Sequence, residues 1–219
     1  MDRYLTESEQ ARLLRVFRER CGASAIDRRD AAFFGMLLHS GMRIGEASRI
    51  SVGQAMEALR TGYLYIPAPM RKGKRHDHHV YVTEVLRADL QGLLAARCEI
   101  SPEACGVDDA LVVGRGGQAM TVRALELRFD KWVALADLPA GASPHWLRHT
   151  RAQNIIRRSS ARNPLGVVQS ALGHASIRST GIYTGPSRED VEAALAETDG
   201  RAGRVTRAQL RRAYEGRAA

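Results

Sequence analysis

The sequence predicts an α+β fold: mainly α-helical, with one small antiparallel β-sheet. Three observations lead there. Capping residues repeatedly stand before runs of apolar residues spaced three and four apart. The period drops to two only at 63–66 and 79–82. No apolar run approaches the roughly 18 residues of a membrane-spanning helix.

Thr6 and Glu9 form a capping box that opens a helix to about Arg20, with Leu13, Leu14 and Phe17 on one face. Asp27 is placed to cap a second helix through Phe33, Phe34, Leu37 and Leu38, which Gly41 stops. A third helix is expected from Met42 to Ile50. Tyr63–Ile66 and His79–Val82 then read as the two strands of a hairpin. Arg71, Lys72, Gly73, Lys74 and Arg75 form its basic tip. Thr83 caps a helix to about Arg97, and the glycine-containing stretch 98–120 reads as loop. Its Gly114, Arg115, Gly116, Gly117 run lacks the lysine and Ser/Thr of a phosphate-binding loop and reads as a turn.

Thr121 caps a helix through Leu125, Phe129, Trp132 and Leu135. Ser143 and Pro144 open another, to about Arg158, with proline at the first helical position. Pro164–Leu172 is a short helix closed by Gly173. Short helices are expected from Ser176 to near Tyr183, from Ser187 to about Glu197, and from a capping box at Thr206 to about Glu215. Residues 1–187 are expected to form one domain. Residues 188–219 form a helical tail that packs on a neighbouring subunit or folds back on its own domain.

Composition narrows the function. The 219 residues are 44% hydrophobic and 26% charged, which fits a folded protein and excludes wholesale disorder or collagen-like repeats. The polar, acidic start is no secretory signal, and Cys21, Cys98 and Cys105 are too few and scattered for a disulfide framework. A cytoplasmic location follows as the expectation. Lys and Arg number 33 against 24 Asp and Glu, a net charge of +9. Such a balance attracts polyanions, nucleic acid first. From Gly141 to Ser187 there are six arginines and no carboxylate, so one face is expected to meet negative charge.

Three segments carry candidate chemistry. One holds Arg43 and Glu46. One holds His145, Arg148 and His149. One runs Leu172, Gly173, His174 and, nine residues on, Tyr183. Taken singly each is common. In this order, with Lys72 on the hairpin, they resemble the tyrosine site-specific recombinase (phage integrase) family. The resemblance runs from about Tyr4 to Ser187. It implies the catalytic-domain fold of that family and a catalytic set of Arg43, Lys72, His145, Arg148, His174 and Tyr183. Glu46 matches the acidic residue that follows the first arginine by three.

The chemistry of the residues agrees. Cutting a phosphodiester needs a nucleophile, cations for the charged transition state, an acid for the leaving oxygen, and placement. Tyr183 supplies the nucleophile. Arg43 and Arg148 offer paired N–H donors to the non-bridging oxygens. His145 and His174 each donate a further hydrogen bond, and His145 is placed to help remove the tyrosine proton. Of three lysines against 30 arginines, Lys72 and Lys74 sit on the hairpin tip. An ammonium is tuned to donate a proton more readily than a guanidinium. Lys72 is therefore expected to protonate the departing 5′-oxygen, with Lys74 the fallback. Arg71, Lys74, Arg75, Arg151 and Arg178 are expected to contact DNA.

The resemblance implies double-stranded DNA as partner, a monomer in isolation, and a tetramer on paired sites. Accessory DNA-bending or directionality proteins and nucleoid association during activity belong to the same expectation. It implies no metal, ATP or other cofactor. Most members carry an N-terminal helical domain that grips the far side of DNA, and this sequence is expected to lack it. Two alternatives stay open: a type IB topoisomerase-like relaxation activity, and a non-catalytic DNA-binding relative. His76, Asp77, His78 and His79 alternate along a strand and are expected to be solvated rather than to cage a metal. His145 and His149 lack the glutamate of a helical zinc pair, having Trp146 in its place.

Overall fold

The computed structural model of the chain describes residues 3–73, 75–103 and 105–173. The described elements run α1 (Glu7–Arg20), α2 (Ala25–Ser40), α3 (Ile44–Ala47), α4 (Val52–Thr61), β1 (Tyr63–Ile66), β2 (His78–Tyr81), α5 (Glu84–Ile100), α6 (Val122–Leu135), α7 (Pro144–Arg158) and α8 (Pro164–Leu172). One turn of 3-10 helix at Ala68–Met70 lies between the strands. The mainly helical α+β architecture is therefore as expected. The helices expected after residue 173 lie outside the described residues.

α1 begins as read. Thr6 Oγ1 accepts from the Glu9 N–H, and the Glu9 carboxylate accepts from the Thr6 N–H at 2.7 Å. For α2 the cap is Ser24, whose hydroxyl accepts from the Asp27 N–H at 3.1 Å. Asp27 is instead a first-turn residue whose carboxylate meets Lys131 at 2.6 Å and Arg128 at 3.3 Å. The helix expected over 42–50 is only the single turn of α3. A separate helix, α4, follows behind the Ser51 and Gln54 capping box. Its buried residues, Val52, Ala55 and Ala58, recur every three residues on one face.

The hairpin pairs Tyr63 with Tyr81 and Ile66 with His78, so β2 starts and ends one residue earlier than expected. Leu64, Ile66 and Val80 face the core, while Tyr63, Tyr65, His79 and Tyr81 face out. His78 shares the inward face and is half-buried, which overturns its reading as a solvated residue. The stretch 98–120 is more ordered than a plain loop. Leu111, Val112 and Val113 are buried, and the carbonyls of Val107 and Asp109 accept from the Gly53 and Val52 N–H groups at the start of α4. There the Cys98 and Cys105 thiols, scattered in sequence, stand 3.3 Å apart.

α2 is the central helix, packed on α1, α5, α6 and α7. Phe17 meets Trp132 edge-on at 5.0 Å, and Phe34 meets Phe129 at 4.9 Å. Each such pair adds about 0.5–1.5 kcal/mol beyond its burial. Fully buried Asp30 accepts from Arg29, from Arg128 at 2.6 Å and from Trp132 Nε1 at 3.4 Å. The N-terminal segment is tied to α7. The Leu5 N–H donates to Thr150 Oγ1 at 2.8 Å, Gln10 pairs with Asn154, and Glu7 pairs with Arg158 at 2.7 Å. Among the described residues no helix is long and apolar enough to cross a membrane.

Candidate active site

The site is built around two helix ends. α2 stops at Gly41, whose φ of 70° is the left-handed conformation glycine adopts without steric cost. The reversal buries Met42 and presents Arg43 as the residue before α3. A Cβ at Gly41 would also overlap Leu172 Cδ2, so that side chain would have to shift. α8 ends the same way at Gly173, with φ 62°. Arg148, on α7, links the two ends. It is 3% exposed, donating from Nη1 to Gly41 O at 2.5 Å and from Nη2 to Leu172 O at 3.0 Å. Helix C-termini carry partial negative charge on unsatisfied carbonyls, so a buried guanidinium is well matched to both.

Arg43 is held by Glu46, which is 4% exposed. The guanidinium Nη1 donates to Glu46 Oε1 at 2.9 Å, and the Arg43 N–H to Oε2 at 3.2 Å. Arg43 and Glu46 line a cleft of about 420 Å³ together with Arg49, Arg71, Lys72 and His145. Arg43, Arg71 and Lys72 also line an adjoining cleft of about 260 Å³ that Arg75, His76 and Gly173 complete. Cations thus dominate both walls.

His145 stands at the first turn of α7, where Pro144 begins the helix. Ser143 precedes it in capping conformation but makes no side-chain cap bond. The residue is largely exposed, yet its ring is partly enclosed beside the cations of the cleft. This desolvation first, and then the charges of Arg148, Arg43, Arg3 and Lys72, hold its pKa below the usual imidazole value. A neutral imidazole at physiological pH is able to accept a proton. The His149 ring packs against it at 4.5 Å.

Two further residues belong to the site that sequence reasoning did not place there. His78 donates from Nε2 to Ala171 O at 3.2 Å, and burial together with Arg71 lowers its pKa. Its register with Val80 and Val82, apolar and two apart, is the signal that points it inward. Arg49 donates from Nε to Gly45 O at 2.8 Å and from its terminal nitrogen to Met70 O, bracing the hairpin base against α3. No sequence pattern marks that contact.

Of the expected catalytic residues, Arg43, Lys72, His145 and Arg148 surround this cleft or support its wall, coming from three separate segments. His174 and Tyr183 lie outside the described residues, as do Lys74 and Arg178. Of the expected DNA contacts, Arg75 borders the second cleft. Arg71 is turned inward, donating to the carbonyls of His76 at 2.8 Å and Gly173 at 2.5 Å. Arg151 is half-buried with its stem near Gly41, and burial lowers its pKa. Among the described residues no three His, Cys, Asp or Glu side chains converge as a metal site.

The profile of the "Phage integrase family" matches residues 3–190. The "Tyrosine recombinase XerC" of Methylobacterium sp. (strain 4-46) is 33% identical over 177 residues, covering 81% of this chain and 52% of that protein. The chain spans about half the length of the XerC relatives it matches. Among solved structures, XerA recombinase superposes with a TM-score of 0.68 at 23% identity, over 90% of this chain and 64% of that one. XerH site-specific recombinase, bound to its difH substrate in a pre-cleavage complex, gives 0.67 at 24% identity, over 89% and 54%. At these identities the likeness to the solved structures is one of fold.

Proposed function

The chain belongs to the phage integrase family, and on that premise we propose that it is a site-specific recombinase that cuts and rejoins strands of double-stranded DNA. One observation carries the reading furthest. Arg43, Lys72 and His145, far apart in sequence, line one cationic cleft whose wall Arg148 braces. Such a cleft suits a phosphodiester, whose charge rises toward the pentacoordinate transition state.

Tyr183 Oη attacks the scissile phosphorus and forms the new P–O bond, giving a 3′-phosphotyrosyl link. His145, kept neutral by its surroundings, takes the phenol proton. Arg43, oriented by Glu46, and Arg148 stabilise the non-bridging oxygens, and His174 adds a donor. The bond to the 5′-oxygen breaks, and Lys72 delivers the proton that leaves it a 5′-hydroxyl. The 5′-hydroxyl of a partner strand then attacks the link and releases Tyr183. One phosphoester is exchanged for another, so no external energy source is required.

Two duplex sites present four strands, and each chain brings one nucleophile. Strand exchange therefore calls for four copies assembled on paired sites. Because the chemistry is nearly isoenergetic, its direction must be set from outside the cleft, the place for accessory DNA-bending proteins.

Covalent trapping tests the proposal. Wild type and Tyr183→Phe are incubated, without magnesium, with a nicked duplex from the DNA flanking the gene. A denaturing gel then reads the protein–DNA adduct. An adduct from wild type alone is expected. DNA binding with no adduct, or an adduct that survives the substitution, would overturn the reading. Relaxation of supercoiled plasmid without exchange between sites would move the activity to the topoisomerase class.

A further inference from the structure

The last three carbonyls at the end of α8 are each claimed by a basic side chain from a different place. Ala171 O accepts from His78 Nε2 at 3.2 Å, Leu172 O from Arg148 Nη2 at 3.0 Å, and Gly173 O from Arg71 Nη2 at 2.5 Å. A helix normally leaves its final carbonyls to water or to a glycine cap. Here the Gly173 N–H completes the cap by donating back to Ser170 O at 3.1 Å, and the outward carbonyls are all taken by side chains.

Arg71 does two jobs with one guanidinium. Its Nη1 donates to His76 O at 2.8 Å and reaches Asp77 O at 3.3 Å, bridging the loop that carries Lys72 and Gly73. Its Nη2 holds α8. Arg71 Nε is buried and, among the described residues, has no hydrogen-bond partner, so the group is held by its two terminal nitrogens. Gly173 leaves the guanidinium its room: a Cβ there would overlap Arg71 Nη2 and stand 3.0 Å from the His78 ring. Lys72, next in the chain, is itself exposed in the cleft. Its backbone is anchored through its neighbour.

We propose that Arg71, assisted by His78, is a positioning residue that fixes the Lys72 turn against the end of α8, so that the proton donor stands at the leaving oxygen. The proposal rests on the reading of Lys72 as general acid. Arg71 then acts through Lys72 and not on the phosphate itself. Lysine at position 71 would carry the same charge, but with one terminal nitrogen it would not replace the two-ended bridge.

A sulfur-substituted substrate separates the roles. In a bridging 5′-phosphorothiolate the departing atom leaves as a thiolate. A thiol has a pKa near 8.5, against about 15.7 for water, so sulfur leaves without an acid. Adduct formation by the full chain is timed on the oxygen and sulfur substrates. With oxygen, Lys72→Ala is expected to be about 100- to 10,000-fold slow, the usual range for losing a general acid. Arg71→Ala and Arg71→Lys are expected to be at least tenfold slow. With sulfur, all three should return to near the wild-type rate. Arg148→Ala, whose reading is oxyanion stabilisation, should stay slow on both.

Two results overturn the proposal and leave the general reading standing: Arg71 variants as fast as wild type on oxygen, or Arg71 variants still slow on sulfur while Lys72→Ala is restored. If Lys72→Ala is not restored, the acid assignment fails, and the positioning role fails with it. Arg71→Lys keeps the test usable should Arg71→Ala fail to fold.

Discussion

Glu46 accepts two hydrogen bonds from one residue: the Arg43 guanidinium at 2.9 Å on Oε1 and the Arg43 backbone N–H at 3.2 Å on Oε2. The carboxylate therefore orients the side chain and closes the turn that presents it. Glu46→Gln keeps the shape, loses the charge and leaves one oxygen to serve two donors. Charge-assisted hydrogen bonds are about twice as strong as neutral ones, so a loss of roughly tenfold in adduct formation is expected. Arg43→Ala should cost about 100- to 1,000-fold, as when a transition-state donor is removed. Single-turnover cleavage on the trapping duplex measures both.

In the proposed mechanism His145 should set a pH limit. Its pKa is held below the ordinary value near 6.5, chiefly by desolvation and then by Arg148 and Arg43. The rate of cleavage should stay level as pH falls from 8 to about 6.5 and drop only below that, as the ring takes up a proton. His145→Gln should remove this acid limb and slow cleavage about 100-fold or more. A pH–rate profile from 5 to 8 reads both effects.

His78 makes the related prediction for stability. Burial depresses its folded pKa, so below about 6.5 the unfolded chain binds a proton that the folded chain resists. The stabilising contribution is complete above the unfolded value and is lost as pH falls through the folded one. Tm should decline over this window in wild type and less steeply in His78→Gln.

Arg148 is a structural link between the ends of α2 and α8, besides the chemical part proposed for it. Removing it leaves Gly41 O and Leu172 O without their donor, at about 1–3 kcal/mol for each buried carbonyl. Arg148→Ala should therefore lower unfolding stability by about 2–5 kcal/mol, besides slowing cleavage. Arg148→Lys can reach only one carbonyl and should fall between. Denaturant unfolding, followed by circular dichroism, measures the loss.

Asp30 offers a contrast away from the cleft. It is fully buried between Arg29, Arg128 and Trp132. Asp30→Ala leaves the buried Arg29 with only the Val113 carbonyl and Arg128 with only Asp27, and should destabilise by about 3–5 kcal/mol. Below its midpoint of unfolding, the variant should still form adduct at the wild-type rate.

Local chemistry made much of this fold legible. The Thr6 and Glu9 box, Gly41, the Pro144 start and the alternating Tyr63–Ile66 strand each carry their own signal in neighbouring residues. α4 escapes the sequence reading although the Ser51 and Gln54 capping box and the Val52, Ala55 and Ala58 face both mark it, because 42–50 reads as one helix. Ser24 and Asp27 are both good caps three residues apart, and only the backbone decides between them. Arg43, His145 and Arg148, on short motifs, were legible as residues that come together, while His174 and Tyr183 lie outside the described residues. The bridge made by Arg71 was not legible, because an arginine on a basic tip reads as a phosphate contact and Gly173 O is 102 residues away.

The bonds joining α1 to α7 bear on synthesis. Leu5 waits for Thr150, 145 residues downstream, before its N–H finds its partner. At about 5–20 residues per second, the ribosome needs roughly 7–30 s to cover that distance. For most of that interval the apolar stripe of Leu13, Val16 and Phe17 exists without α6, whose Trp132 packs on Phe17. Exposed apolar surface of this kind is what aggregates, so any slowing of translation between α2 and α6 lengthens the period in which the nascent chain is vulnerable.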